Sequence, residues 1–515
     1  MNDYLVVSED SPSVPDHGFS PEHVASLLSQ LHSTLSSDRR FTLDELAAVA
    51  ETLARLDTRD DALLSALDQH ICAHAEIEGK CLSKILNSYA HLGFLEGRLL
   101  TVLRDRPSFA DLDTSQISGI LFSLGKLKLA LADRNSQAMA GLAPSEVTQL
   151  VQRLCTRASE IVDRYSSLEI STIVFALARL NFRNTKLLHC FADSLSMRVQ
   201  EASPQVVSNT VYAMGKLGFK SVNLLDAVCL ASPPRLATFK PQEIANLVYA
   251  FGQLDYRNEP FLLALADHIP SRLQSFKPQE LSITAYAYSQ LRVSHPRMFA
   301  GIAIQIARRI DECSPQAISN TVYAMSKVNF RHNGLLTAMA LSLPGRLEEL
   351  TPQHISNIMY AFGKLGHRDE ALLESICTHV PSRLWEFRPQ NIANTVYATG
   401  KLGYRHEGLL AAVAEHLPSR LPECVSQDIS NIVYSFGLLG FRDETFFAAV
   451  EVHVRTVLVP RGMQQKDLSY LMSAFRKAGI DYEEESLESL IDELDQAARA
   501  CNVDLLQCLQ ETSGA

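Results

Sequence analysis

The chain has 515 residues, with 47 Lys and Arg against 58 Asp and Glu, a formal charge of −11, and 46% apolar residues. This composition excludes bulk disorder, and a uniformly acidic surface would repel nucleic acid. No uninterrupted run of about 18 apolar residues suggests a membrane helix, and ten cysteines without a Cys-x-x-Cys pair fit a reducing compartment.

At the start, Met1 to Pro15 carry Asp3, Glu9 and Asp10 and no basic residue, which matches neither a secretory signal nor an Arg-rich transit peptide. Ser20-Pro21-Glu22 then opens a half repeat that predicts a capping helix. From there on, one motif recurs along the chain. Weak copies anchor at Asp44, Lys80, Ser115 and Leu168, and the step from Ser115 to Leu168 is 53 residues instead of 37. The surplus of 16 falls around Ala130 to Ser145 and reads as a loop insertion. Strong copies begin at Gln205, Gln242, Gln279, Gln316, Gln353, Gln390 and Gln427, each 37 positions after the last. A final weak copy anchors at Lys466, and Ser486 to Ala500 predicts an acidic amphipathic cap. The expected organisation is a tail and capping helix over 1–40, divergent repeats over 41–127 and an insertion over 128–147. Regular repeats then fill 148–479, and an acidic end covers 480–515.

Each repeat reads as two helices. The first starts with Ser203, Ser314 or Thr351 at the cap and proline at the first helical position. In the copy at Gln242, Ile244, Val248, Phe251 and Leu254 keep helical spacing. The second helix runs over Glu259 to His268, with Phe261, Leu262, Leu265 and Ile269 on its apolar side. Pro270 ends or kinks it, as do Pro344, Pro381 and Pro418 in their repeats. With no alternating strand pattern in competition, the expected fold is all-α. It is a right-handed α-solenoid of about twelve two-helix repeats of roughly 37 residues.

Counted from the anchor, the first helix repeats Gln at 0, Asn at +4, Tyr at +7 and Lys or Gln at +11. At 100° per residue these offsets lie within about 60° and form one longitudinal stripe. It contains Asn209, Tyr212 and Lys216; Tyr249 and Gln253; Tyr323 and Lys327; Tyr360 and Lys364; Tyr397 and Lys401; and Tyr434. Ile283 breaks it. Amides would meet base edges, tyrosines would stack on bases and lysines would hold phosphates of a single strand. Alternatively, Asn and Tyr form a hydrogen-bonded ladder between repeats. The variable positions +1 and +5 are candidates for base discrimination. At +1 stand Val206, Glu243, Glu280, Ala317, His354, Asn391 and Asp428. At +5 stand Thr210, Leu247, Thr284, Thr321, Ile358, Thr395 and Ile432. Arginines recur at +15, and again at +30 as Arg272, Arg309, Arg346, Arg383 and Arg420. They would track a phosphate backbone or else pair with neighbouring acids and helix ends. His70-x-Cys72-x-His74 does not place three ligands on one helix face. No metal, cofactor or catalytic motif is expected, and Cys313 and Cys424 read as core.

The motif Pro-Gln-x-Ile-Ser/Ala-Asn-x-Val-Tyr-Ala-x-Gly-Lys-Leu-Gly, as in Pro204 to Gly218 and Pro352 to Gly366, resembles the octotricopeptide and heptatricopeptide helical repeats of organelles. It is also similar to repeats of FAST-kinase-like proteins and of an RNA-editing substrate-binding complex component. The resemblance covers about Asp44 to Gly479. It implies a non-catalytic α-solenoid that binds single-stranded organellar rRNA or mRNA in mitochondria or plastids, the mitochondrion being the expected one, for RNA processing, stability or ribosome assembly. A protein-binding scaffold inside a ribonucleoprotein is the alternative, with a cytoplasmic location if no organellar import occurs. Only 36 residues follow Gly479, too few for the nuclease-like RAP domain of many relatives. The charge is unevenly spread. Residues 1–60 hold 4 basic and 11 acidic side chains and 457–515 hold 5 and 11, leaving 38 basic and 36 acidic in 61–456. The acidity thus belongs to the ends, and the repeats are close to neutral.

Overall fold

The computed structural model describes residues 20–36, 39–74, 76–94, 97–132 and 143–458, together with Leu471 and Phe475. Among these, every regular element is a helix, and the chain divides into two compact halves, Met1–Leu265 and Ala266–Ala515.

In the N-terminal half, the first helices of the repeats are α2 (Leu43–Arg55), α4 (Gly79–Leu92), α6 (Thr114–Ala132), α8 (Ser167–Arg179), α10 (Pro204–Lys216) and α12 (Pro241–Gln253). Each packs on the next in one layer. The second layer holds α1 (Pro21–Leu35), α3 (Asp61–Cys72), α5 (Gly97–Asp105), α7 (Pro144–Glu160), α9 (Thr185–Ser196) and α11 (Val222–Ala231), stacked the same way. The half boundary falls inside α13 (Glu259–His268). In the C-terminal half, α14 (Pro278–Gln290), α16 (Pro315–Lys327), α18 (Pro352–Leu365), α20 (Pro389–Leu402) and α22 (Ser426–Leu439) form the first layer. The second comprises α15 (Pro296–Arg308), α17 (Asn333–Ser342), α19 (Glu370–His379), α21 (Glu407–His416) and α23 (Glu444–His453). Neighbour-on-neighbour packing of helix pairs makes the fold an α-solenoid.

The sequence explains the joints. The four upstream weak anchors, Asp44, Lys80, Ser115 and Leu168, fall at the second position of a first helix, as the glutamines do. Among the described residues, ten first helices end on a residue with φ between 45° and 64°, always at +13. Glycine holds five of these sites, and Asp57, Asn181, Asp255, Arg292 and Asn329 hold the others. The next N–H then bonds back to the carbonyl five residues earlier, as from His367 to Phe362 at 3.0 Å, which closes a Schellman turn. Second helices are capped at +16: Asp369 accepts from the Leu372 N–H at 2.9 Å and His406 Nδ1 from the Leu409 N–H at 3.0 Å. Each such cap is worth about 1 kcal/mol. Pro270, Pro344, Pro381 and Pro418 lie in short 3-10 turns that lead to the next repeat. The expected apolar sides of α12 and α13 are buried, with Leu254 the most exposed at 8%.

The insertion differs from expectation. Helix α6 runs through Lys126-Leu-Lys-Leu-Ala-Leu-Ala132, strong helix formers with Lys128 where other repeats turn left-handed, and α7 resumes at Pro144. Residues 128–132 and 144–147 are therefore helical, not loop, and 133–142 lie outside the described residues. So do most of the Lys466 copy and the cap expected at Ser486 to Ala500.

Candidate nucleic-acid interface

Close approach of first helices sets the geometry of the interface. A Cβ on Gly363 would lie 2.8 Å from Ala398 Cα, and one on Gly215 3.1 Å from Ala250 Cα. Helices this close bury both flanks of each first helix, and the face towards the second layer is buried as well. Among the described strong repeats the stripe at 0, +4, +7 and +11 is the main line left in contact with solvent, except in α14, where Ile283 and Tyr286 are buried. Gln205, Lys216, Gln253, Lys327, Lys364 and Lys401 are exposed; Asn209, Tyr249, Tyr323, Tyr360, Tyr397 and Tyr434 are half-buried; and Tyr212 is buried.

The tyrosines touch along the stripe within each half. Ring centroids lie 5.7 Å apart for Tyr212 and Tyr249, 5.8 Å for Tyr323 and Tyr360, and 6.4 Å for Tyr360 and Tyr397. A base inserted between two rings needs roughly 7 Å, two stacking steps of about 3.4 Å. Within each of these runs the rings therefore leave no slot for intercalation. Lysines lie over the rings: Lys327 Nζ is 5.8 Å from the Tyr323 ring, Lys364 5.8 Å from Tyr360, and Lys401 5.6 Å from Tyr397 and 5.8 Å from Tyr434. Burial pushes the Tyr323 and Tyr360 hydroxyls up, so both stay neutral donors. Burial, and then the charge of Lys327, lowers the Lys364 ammonium, so neighbouring cations sense one another. The amides are partly committed. Gln353 donates to Asn357 Oδ1 at 2.9 Å and Gln427 to Asn431 Oδ1 at 3.4 Å, both within a single helix, so these bonds do not join one repeat to the next.

The +5 column is interior and the +1 column is buried apart from the half-buried His354, and this corrects their assignment to base discrimination. Every +5 side chain is at most 1% exposed, and its threonines donate to the +1 carbonyl, as Thr395 does to Asn391 at 2.8 Å. At +1, Glu243 accepts from the Lys240 N–H at 2.7 Å and Glu280 from the Lys277 N–H at 2.7 Å. His354, Asn391 and Asp428 do the same for their own caps. These residues close the helix start where +1 could have read a base.

Both arginine columns have internal acceptors. At +15, Arg331, Arg368 and Arg405 donate to the carbonyls of Leu365, Leu402 and Leu439 in the following repeat, at 3.0–3.3 Å. At +30, Arg309 donates to the Phe276 carbonyl at 2.8 Å, Arg346 to that of Cys313 at 3.0 Å and Arg420 to that of Phe387 at 2.7 Å, all in the preceding repeat. Glu312, Glu349, Glu386 and Glu423 pair with Arg309, Arg346, Arg383 and Arg420 at 2.8–2.9 Å. Arg272 lies 3.3 Å from His268 Nε2. The guanidinium groups of Arg309, Arg331, Arg346, Arg368, Arg405 and Arg420 thus join repeats. Cys313 is buried and its thiol donates to the Arg309 carbonyl at 3.1 Å.

The stripe also extends further than the strong repeats. At the weak anchors Ser115 and Leu168, positions +7 and +11 are Phe122 and Lys126, and Phe175 and Arg179. The Arg179 guanidinium lies 4.8 Å from the Phe175 ring and 5.8 Å from Phe122. From Ser115 to Leu438 no stripe position is Asp or Glu, in a chain with 58 carboxylates. Applying the offsets to the weak anchors would have revealed both features. Among the described residues no group of three His, Cys, Asp or Glu is placed to hold a metal, and no helix is long and apolar enough to cross a membrane.

The family model described as RNA-editing substrate-binding complex 6 protein matches residues 136–296 and 270–503. No curated protein matches. Similar solved structures include a chain in a homology model of the full-length AP-3 complex, at 11% identity over 93% of this chain and 91% of that one, with a TM-score of 0.31. The pentatricopeptide repeat protein PPR10 in complex with an 18-nt psaJ RNA element is also similar, at 13% identity over 92% and 88%, with a TM-score of 0.23.

Proposed function

The chain belongs to the RNA-editing substrate-binding complex 6 protein family, and from that premise we propose that it is a non-catalytic RNA-binding solenoid. Its place of action is an organelle, the mitochondrion, in RNA processing, RNA stability or ribosome assembly. The observation that carries this reading is the carboxylate-free stripe, the main solvent-facing line of the first helices, where lysines lie over a run of tyrosines. A single strand laid along it would set bases against the aromatic edge and phosphates beside the ammonium groups. The uniform Asn and Tyr columns favour shape and backbone contacts over a base-by-base code. The arginines at +30 support the track by holding repeats in register.

The test is anisotropy titration of the full chain with single-stranded RNA. Replacing Tyr323, Tyr360 and Tyr397 together by Leu should weaken binding at least about ten-fold, since each base contact is worth roughly 1–3 kcal/mol. Arg346→Gln should lower the melting temperature and leave affinity nearly unchanged. Salt-insensitive binding, or full affinity in the tyrosine variant, would overturn the reading. A second reading, a scaffold for proteins, is favoured by apolar side chains exposed on or beside the second helices: Leu341 at 80%, Leu230 at 79% and Trp385 at 74%. It predicts that crosslinking recovers proteins and little RNA.

A further inference from the structure

The +11 column is cationic in two separate runs. In the N-terminal half Lys126, Arg179 and Lys216 follow one another in α6, α8 and α10. In the C-terminal half Lys327, Lys364 and Lys401 do so in α16, α18 and α20. Between the runs stand Gln253 and Gln290, and Gln290 donates to the Tyr286 hydroxyl at 2.7 Å. The first run is bounded upstream by His91, 3.6 Å from Asp57, and the second downstream by Leu438. Beside the second run lies the ladder of Tyr323, Tyr360 and Tyr397, and beside the first stand Phe122, Phe175 and Tyr212, the last two buried. Only the second carries Gln and Asn at 0 and +4 throughout. The first has Ser115, Gly119, Leu168 and Thr172 there, with Leu168 66% exposed, so two of its three repeats offer no amide to a base edge.

We propose that the chain grips single-stranded RNA at two independent sites, each holding about three phosphates. The site in the N-terminal half is indifferent to sequence, a backbone anchor built on Lys126, Arg179 and Lys216, with the half-buried Phe122 ring beside it. The site in the C-terminal half adds amides. This inference rests on the RNA-binding reading and goes beyond it, because two of the anchor's three repeats, those at Ser115 and Leu168, carry only weak copies of the motif.

Salt dependence and stoichiometry separate the two ideas. Binding to a single strand weakens with a slope of about 0.7 per phosphate contact on a double-logarithmic salt plot, so each site contributes about 2. The full chain is titrated with oligouridylate of about twelve nucleotides for the slope and about five for stoichiometry. Lys327, Lys364 and Lys401 changed together to Gln should lower the slope by about 2 and the short-oligomer stoichiometry from two to one. The same result is expected for Lys126, Arg179 and Lys216 changed to Gln. Because Arg179 also packs on two rings, the pair Lys126→Gln and Lys216→Gln serves as a milder variant, with circular dichroism confirming the fold and a slope change of about 1.4 expected. If variants in the N-terminal half leave slope and stoichiometry unchanged while those in the C-terminal half alter them, the two-site inference falls and RNA binding stands. If neither set alters them, RNA binding falls as well. Equal affinity for polyglutamate and RNA would overturn both and identify an acidic protein as the partner.

Discussion

A glycine at +10 has a different task from a glycine at +13. At +13 it supplies a left-handed turn, which aspartate or asparagine also supplies at modest strain, and that is why the column is mixed. At +10 it supplies room. The Cβ that alanine would add at Gly363 meets backbone of the next first helix at 2.8 Å, and backbone cannot rotate away. Gly363→Ala should therefore cost about 1–3 kcal/mol despite alanine's better helix propensity, as measured by urea denaturation. Gly345→Ala, with nothing within 4 Å, should be neutral or stabilising by up to about 1 kcal/mol. Residue by residue, the caps were readable. Where the cap is Ser203 or Ser314, +1 is Val206 or Ala317; where it is Lys240, Lys277, Arg388 or Val425, +1 is Glu243, Glu280, Asn391 or Asp428. One side chain or the other satisfies the helix start, so variation at +1 reports the cap and carries no information about a ligand.

At the scale of the helix, the stripe was legible because 3.6 residues per turn is a property of the chain itself. The width of the buried arc was not. Amphipathic reasoning assumes one buried face, whereas a helix inside a layer is covered on three sides, which puts +1 and +5 in the interior. The role of the arginines was illegible for a similar reason: their acceptors are backbone carbonyls in neighbouring repeats, and carbonyls have no sequence code. Those arginines also tie the second helices to pH. His268 Nε2 lies 3.3 Å from Arg272 Nη1 and His416 Nε2 accepts from Arg420 Nη1 at 3.1 Å, and burial and then the arginine charge lower both imidazoles from the ordinary 6.5. An imidazole lowered in the folded state contributes stability that is complete above pH 6.5 and is lost as pH falls towards its folded value. Glu423, held below the ordinary 4.5 by Arg420, extends the loss to lower pH. The melting temperature should accordingly fall between pH 7.5 and 5.5. Replacing His268 and His416 by Gln should lessen the fall over that interval, the lowered His354 and His367 supplying the rest, and leave the loss below pH 4.5 in place.

For the molecule as a whole, the sequence places opposite charges in different segments. Residues 457–515 carry 11 acidic and 5 basic side chains, and the stripe carries cations alone. Acidic residues tethered to the chain compete with RNA for those cations, so deleting 480–515 should speed RNA association several-fold at about 50 mM salt. The gain should vanish near 300 mM, where screening shortens the reach of the field, and stopped-flow fluorescence would measure both. The left-handed joint at +13 has a consequence for how such a chain can change length. Joints recur at Gly366, Gly403 and Gly440 with identical spacing, and the arginine two residues after each of the first two reaches the carbonyls at the following joint. Removing the segment from 367 to 403 would splice a joint to its own equivalent. Arg368 would give way to Arg405, which already reaches Leu439. Duplication would do the reverse. Unequal recombination within the gene could thus lengthen or shorten the array by whole modules, and with it the span of RNA held, without creating a junction the fold has not already used.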